Sequence, residues 1–261
     1  KQAYSFIGQL FDITTISTAC GYLYTGHEDG SVNLLDLKEY KIIHSYKDHS
    51  KNILSLIYDQ SDESIYSCSE DGMIIKYSIN NKDLLYFIEP YIDHEKGNDK
   101  TISSMGCLIH DDYLYSYSVY GKVKKYDKIS GEYICELAED SNFITIKDNK
   151  LICGLRSMIF SDDSSSVSTW DLETGLLIDK KHLKGDVYFI EDSTPDAHCN
   201  IVYINNDLFV LFNINELSVV SEFYYHTDYS VFSIARIGNL VLFPDKNKVI
   251  GFDISAGKVV K

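Results

Sequence analysis

The sequence predicts an all-β protein built from a repeated four-stranded antiparallel sheet unit. Three observations carry this expectation. Apolar and polar residues alternate in short runs, with no sustained helical spacing. A central aromatic or apolar position returns six times at near-constant intervals. Turn-forming residues separate the runs at the spacing hairpins require.

The hairpin is plainest in residues 65–79, IYSCSEDGMIIKYSI, where two alternating runs flank Glu-Asp-Gly. Its second strand recurs as NLLDL, IKYSI, KKYDK, STWDL, LFNI and GFDI, centred on Leu35, Tyr77, Tyr126, Trp170, Phe212 and Phe252. The intervals are 42, 49, 44, 42 and 40 residues. Its first strand recurs too. Leu23, Ile65, Leu114 and Leu240 each lie 12 residues before their centre, across the turns HEDG, SEDG, SVYG and PDKN. Gly30, Gly72 and Gly121 are expected to supply the positive φ of tight turns. An inner strand is expected before each hairpin, from ITTIS, ILSLIY, ISSMGCLI, FITI, VYFI and VFSIA. An outer strand is expected after it, from KIIHSY, LLYFI, EYICEL, LLIDK, VVSEF and KVV.

A four-stranded unit of this length buries both faces only against its neighbours, and radial stacking into a β-propeller achieves that. Six blades are expected within residues 1–261, read as a single domain. Residues 3–7 read as a further outer strand, so the inventory is six inner triples and seven outer strands. Three arrangements fit it: closure with six blades, a seven-bladed ring in a longer protein, or completion by a partner's strands. Each removes free sheet edges.

The repeat resembles the WD-repeat family, whose units run about 40–45 residues with a G-H…W-D signature. Trp170-Asp171 is the literal pair, Tyr126-Asp127 and Phe252-Asp253 are aromatic variants, and Leu35-Asp36 departs. The resemblance implies a buried network joining a His ahead of the inner strand, a Ser or Thr in the second strand, an Asp in the hairpin turn and the Trp. Carried onto this chain, it assigns His49, Ser67, Asp71 and Tyr77 to that structural network, with Tyr in place of Trp. Elsewhere the set thins: Thr25 and Asp29 with Leu35, Ser116 with Tyr120, Trp170 with Cys153, and His226 alone. A divergent member, held together mainly by apolar packing, is therefore expected.

Composition narrows the function. The formal net charge is -15, and Arg156 and Arg236 are the only arginines. Polyanion binding needs clustered Lys and Arg, so direct nucleic-acid binding is not expected. The field favours a basic protein or peptide partner instead. No apolar run reaches the roughly 20 residues of a membrane helix, so no membrane insertion is expected. The six cysteines form no close pair, which disfavours zinc and redox motifs. Unpaired thiols point to the cytoplasm or nucleus.

Catalysis is not expected, and neither is a cofactor or a metal. The inner-strand runs contain no Asp, Glu or His to converge in a central channel, as a metal-dependent hydrolase would need. Sialidase-type boxes and their arginine cluster are missing, as are G-x-S-x-G, a Gly-rich phosphate loop and H-E-x-x-H. The eight histidines are scattered. A propeller hydrolase would require a convergent polar pocket.

The expected role is a non-catalytic protein–protein interaction scaffold, a subunit of a larger complex, because a rigid ring displays loops. The family resemblance places hairpin turns and the loops entering each inner strand on one face. Two long insertions fall there: residues 90–100, PYIDHEKGNDK, which include His94, and residues 156–166, RSMIFSDDSSS. The candidate contacts are His94, Arg156, Met158, Phe160, Asp162 and Asp163, with Met158 and Phe160 as apolar anchors; a plain solvated Ser/Asp loop is the competing reading. Glu28 and Glu70, one residue before the turn aspartates, form a second candidate rim. The competing scaffold class is an open propeller completed in trans within a coat- or pore-like assembly.

Overall fold

The computed structural model describes residues 12–39, 41–89, 92–93, 100–101, 106–118, 121–155, 165–183, 186–189, 191–192, 201–205, 208–213, 218–225, 235–237, 240–245, 248–256 and 258–260. Among the described residues there are strands and turns and no helix. The chain forms two compact units, residues 1–145 and 146–261.

In the first unit, β1 (Ile13–Ala19), β2 (Tyr22–His27), β3 (Val32–Asp36) and β4 (Lys41–Tyr46) form an antiparallel meander in chain order. The pattern repeats in β5 (Ile53–Asp59), β6 (Ser64–Ser69), β7 (Ile74–Ser78) and β8 (Leu84–Ile88). A two-stranded hairpin follows, β9 (Ile92–Asp93) with β10 (Lys100–Thr101). The meander then returns in β11 (Gly106–His110), β12 (Tyr113–Ser118), β13 (Gly121–Asp127) and β14 (Tyr133–Asp140). A fourth, which apart from the start of β15 belongs to the second unit, comprises β15 (Phe143–Lys147), β16 (Lys150–Leu155), β17 (Ser165–Asp171) and β18 (Leu177–Leu183).

Further along come β19 (Asp186–Phe189), β20 (Glu191–Asp192), β21 (Ile201–Asn205), β22 (Leu208–Asn213) and β23 (Ser218–Tyr224), with sheet order β19-β21-β22-β23. The last strands are β24 (Ala235–Ile237), β25 (Leu240–Asp245), β26 (Lys248–Asp253) and β27 (Lys258–Val260). Five sheets are thus four-stranded blades, where six were expected, and no seventh is found among the described residues. The sixth repeat departs because β20 leaves the fifth repeat and pairs in parallel with β24, Glu191 opposite Ala235, making a five-stranded sheet. Glu and Asp are poor strand formers, so nothing in the alternation marks that backbone pairing. Residues 3–7 lie outside the described residues.

One irregularity recurs. In five sheets the pairing of third and fourth strands slips at the central residue: between Leu34 and Leu35, Lys76 and Tyr77, Lys125 and Tyr126, Thr169 and Trp170, and Leu211 and Phe212. Each slip is a β-bulge in the outer strand, which adds twist where a flat meander would splay. Where an aspartate follows the central residue, it caps the turn. Asp36 accepts Lys38 N at 2.7 Å, Asp127 accepts Ser130 N at 2.8 Å, Asp171 accepts Thr174 N at 2.7 Å and Asp253 accepts Ser255 N at 2.9 Å. Those donors hold the carboxyls of Asp36, Asp127 and Asp171 below the usual carboxylate range.

Neighbouring blades seal one another. Tyr24, Leu34 and Tyr46 of the first pack with Ile53, Ile75 and Tyr77 of the second, the Tyr46 and Tyr77 rings 4.2 Å apart. Tyr66, Cys68 and Ile74 meet Cys107, Leu114 and Tyr126 at the next seam. In the second unit Phe223 of β23 stacks on Phe252 of β26 at 3.8 Å. Such ring pairs contribute about 0.5–1.5 kcal/mol beyond burial of their area. Gly30 and Gly72 adopt φ of +82° and +87° in their hairpin turns. Gly121 departs from that expectation and opens β13 as a strand residue.

Candidate functional site

At the hairpin-turn end of the second blade, the loop after β4 carries His49 against the turn between β6 and β7. His49 Nδ1 lies 3.2 and 3.1 Å from the two Asp71 oxygens, and Nε2 lies 2.7 Å from Ser67 Oγ. An ionised Asp71 only accepts, so Nδ1 carries the proton and donates to it. In the neutral ring Nε2 then accepts from the Ser67 hydroxyl. Asp71 also accepts from Ser50 N at 2.9 Å and Met73 N at 2.9 Å. Burial opposes its ionisation, but the bonds from His49, Ser50 and Met73 outweigh it and bring the carboxyl to about 2. Tyr77 occupies the remaining position, where its phenol donates to Asp48 Oδ2 at 3.2 Å and feels the Ser67 hydroxyl.

Ser67, His49 and Asp71 have the connectivity of a nucleophilic triad. Their burial decides against that use, since Ser67 is 0 % exposed and sits in a central strand between Leu56 and Ile75. The set fastens the incoming loop to the turn. The first blade has a different set, confined to its own β2–β3 pair: His27, from β2 itself, takes Thr25 Oγ1 at 2.8 Å and Asn33 Nδ2 at 3.0 Å on Nε2. His27 lies two residues beyond Thr25, on the same strand face, and that spacing is its only sequence signal. In the fourth sheet Trp170 Nε1 donates to Ser168 Oγ at 2.8 Å, while Cys153 is buried.

Glu28 and Glu70 are exposed and hold equivalent turn positions, Glu28 N bonding Asp12 O and Glu70 N bonding Asn52 O. Glu70 Oε1 also accepts Asn52 Nδ2 at 3.3 Å. His94, Arg156, Met158, Phe160, Asp162 and Asp163 lie outside the described residues. The first expected insertion carries a two-stranded sheet of its own, Ile92–Asp93 with Lys100–Thr101, and the second is shorter than the sequence suggests because Ser165 and Ser166 belong to β17. Among the described residues no group of three or more His, Cys, Asp or Glu could hold a metal ion.

A polar cluster unforeseen in the sequence joins the second and third blades at the opposite end. Lys128 Nζ lies 3.1 Å from Asp59 Oδ2 and donates to Ser61 Oγ at 2.8 Å. Lys76 Nζ lies 2.6 Å from Asp62 Oδ2 and 3.0 Å from Lys128 O. The same carbonyl accepts from Tyr86 OH at 2.9 Å and Tyr66 OH at 3.3 Å. Both lysines are buried, and both tyrosine rings lie within reach of the Lys76 ammonium. Burial raises the phenol pKa of Tyr86 to about 12, which keeps it a donor.

No family model matches the chain. Among curated proteins, the nuclear pore complex protein nup43 of Dictyostelium discoideum is 34% identical over 86 residues, covering 28% of this chain and 21% of that protein. WD repeat-containing protein 91 of Gallus gallus is 32% identical over 62 residues, covering 24% of this chain and 8% of that protein. The chain therefore spans about a fifth or less of the curated relatives it matches. Among solved structures, the β-propeller domain of Cps50 (Swd1) from Myceliophteria thermophila superposes with a TM-score of 0.73 at 14% identity, covering 97% of this chain and 87% of that one. The computationally designed Ika8 protein gives a TM-score of 0.61 at 14% identity, covering 98% and 88%. These likenesses establish the fold as a β-propeller of four-stranded antiparallel blades.

Proposed function

We propose that this β-propeller is a divergent WD-repeat protein and works as a non-catalytic scaffold. It binds a protein or peptide partner of basic character on the hairpin-turn face, as one domain of residues 1–261 and one subunit of a larger cytoplasmic or nuclear complex. The observation that carries the reading is the fastening of that face. The His49–Asp71 and Asp71–Ser50 bonds hold loop and turn together, so the exposed Glu70 is presented on a rigid frame, while Glu28 is tied by its own N–H to Asp12 O. A preorganised surface loses less entropy on binding. The net charge of -15 suits a basic partner.

Residues Arg156, Met158, Phe160, Asp162 and Asp163 are the proposed contacts of the fourth repeat, and His94, Glu28 and Glu70 are proposed as further contacts. Affinity purification with the wild-type chain and with Met158→Ala/Phe160→Ala tests this. Loss of the recovered partner with the variant is expected; undiminished recovery removes those residues from the interface. A second reading, completion by a partner's strands inside a pore-like assembly, is favoured by the likeness to a nucleoporin. Native mass measurement, with and without the recovered partner, followed by hydrogen exchange on β27 distinguishes the two. Protection of that outer strand only in the complex supports added strands.

A further inference from the structure

At the end of the first unit opposite the hairpin turns, one repeat inverts a pattern the others keep. The second residue after the central position is aliphatic in five repeats, Leu37, Ile79, Leu172, Ile214 and Ile254. The next is polar in the same five, Lys38, Asn80, Glu173, Asn215 and Ser255. The third repeat reverses both, with Lys128 followed by Ile129. The structure follows the reversal: Lys128 is 7% exposed and Ile129 is 77% exposed. Among the equivalents, Ile79 and Leu172 are 6% exposed and Leu37 is 38% exposed, so burying an ammonium and exposing an aliphatic side chain to this extent are each unfavourable against them. Lys128 is compensated by Asp59 and Ser61. Nothing among the described residues compensates Ile129.

The turn beneath Ile129 is held from several sides. Asp127 caps Ile129 N at 3.0 Å and Ser130 N at 2.8 Å, and Lys128 N bonds Asp112 O at 3.0 Å. Gly131, at φ +74°, lies so close to the Tyr86 ring that a Cβ would stand 2.7 Å from Cδ2. Tyr133 and Ile134, at the start of β14, are 56% and 46% exposed beside it. Hydrogen bonds tie the neighbouring turns into this end: Ile79 N to Glu63 O, Asn80 to Glu63, and Ser78 N to Asp83 O. Glu63, Asp83, Asp111, Asp112, Asp127 and Glu132 lie in these turns and outnumber Lys82, whereas Lys76 and Lys128 turn inward onto Asp62 and Asp59. A fixed apolar knob thus stands in an acidic field.

We propose that Ile129, with Tyr133 and Ile134, centres a second docking surface, for a basic amphipathic segment of a partner protein. Its Lys or Arg residues would face the surrounding carboxylates, and its aliphatic side chains would enclose Ile129. This surface lies at the other end of the blades from the hairpin-turn face and does not depend on it.

The test uses the full chain and two labelled synthetic helical peptides of equal charge, one alternating faces of Lys and Leu, the other with Ser in place of Leu. Ile129→Ser is expected to weaken the Lys/Leu peptide about tenfold in fluorescence anisotropy. Ile129→Leu is expected to retain it, and Met158→Ala/Phe160→Ala to leave it unchanged. The Lys/Ser peptide is expected to bind more weakly and to ignore position 129. Equal affinity of wild type and Ile129→Ser for the Lys/Leu peptide overturns the proposal. So does a wild-type dimer, seen by sedimentation, that Ile129→Ser converts to monomer, since the occupant would then be a second copy of the chain.

Discussion

Replacing Asp71 by Asn separates the charge of the turn carboxylate from its shape. The folded carboxyl titrates at about 2, against an ordinary 3.8. A shift of that size corresponds to about 2 kcal/mol of stability. Its sign follows from the direction: a depressed folded pKa stabilises above the unfolded value and loses that contribution as pH falls toward the folded one. The window is therefore from about pH 5 down to about pH 2. The amide of Asp71→Asn would keep one acceptor for the Ser50 and Met73 N–H groups but lose the charged partner of His49, so a loss of about 2–3 kcal/mol at neutral pH is expected. Urea unfolding of wild type and Asp71→Asn at several pH values reads this directly. Asp29, Asp36, Asp59, Asp127 and Asp171 are also held below their usual range, and they titrate in both proteins. Only the difference between the two curves reports Asp71. The reasoning fails if that difference stays constant between neutral pH and pH 3, or is below about 0.5 kcal/mol throughout.

Three further outcomes are expected. Lys128→Met leaves the buried Asp59 without its ammonium and should cost about 3–5 kcal/mol at neutral pH. The loss should shrink on acidification as Asp59 takes a proton, and Asp59→Asn/Lys128→Met should lose less than the single change; urea curves across pH check both. Gly131→Ala forces a Cβ against the Tyr86 ring at a φ of +74° and should cost about 1 kcal/mol or more, read from thermal melts. Trp170→Phe removes the Nε1 bond to Ser168 and should cost about 1 kcal/mol, with little change in far-ultraviolet circular dichroism.

The blades are legible because period-2 alternation survives wherever one face packs on a neighbour. Ile65, Tyr77 and Leu114 fall in strands from pattern alone, and all three are buried. Other features are set by backbone pairing or by distance through space, neither of which leaves a local signal. The parallel pairing of Glu191 with Ala235 joins residues 44 apart without an apolar run. Gly121 reads as a turn residue because a glycine between two strand-like runs usually is one, although here it opens the next strand. Lys76 and Lys128 look solvated in sequence, since lysine is seldom buried. Their burial depends on Asp62 and Asp59, which come from the turn after β5 and from the end of β5.

The uneven fate of the repeat's devices indicates which of them the fold depends on. The His–Ser–Asp fastening is found in the second blade, whereas the first blade has His27 bonded to Thr25 and Asn33 within one hairpin. The outer-strand bulge, by contrast, recurs in five sheets whatever the central residue, Leu35, Tyr77, Tyr126, Trp170 or Phe212. The bulge sets twist, and twist decides whether the next blade can pack; a fastening loop only stiffens a blade already formed. A central position that accepts Leu, Tyr, Trp or Phe asks for apolar volume, not for an indole donor. The hydrogen-bonding role of the Trp can then migrate, to the Tyr77 phenol on Asp48 or to Ser168 within the same strand, without loss of the architecture. Divergence in this chain has therefore run through the polar fittings at the blade ends and has left the geometry of the outer strands in place.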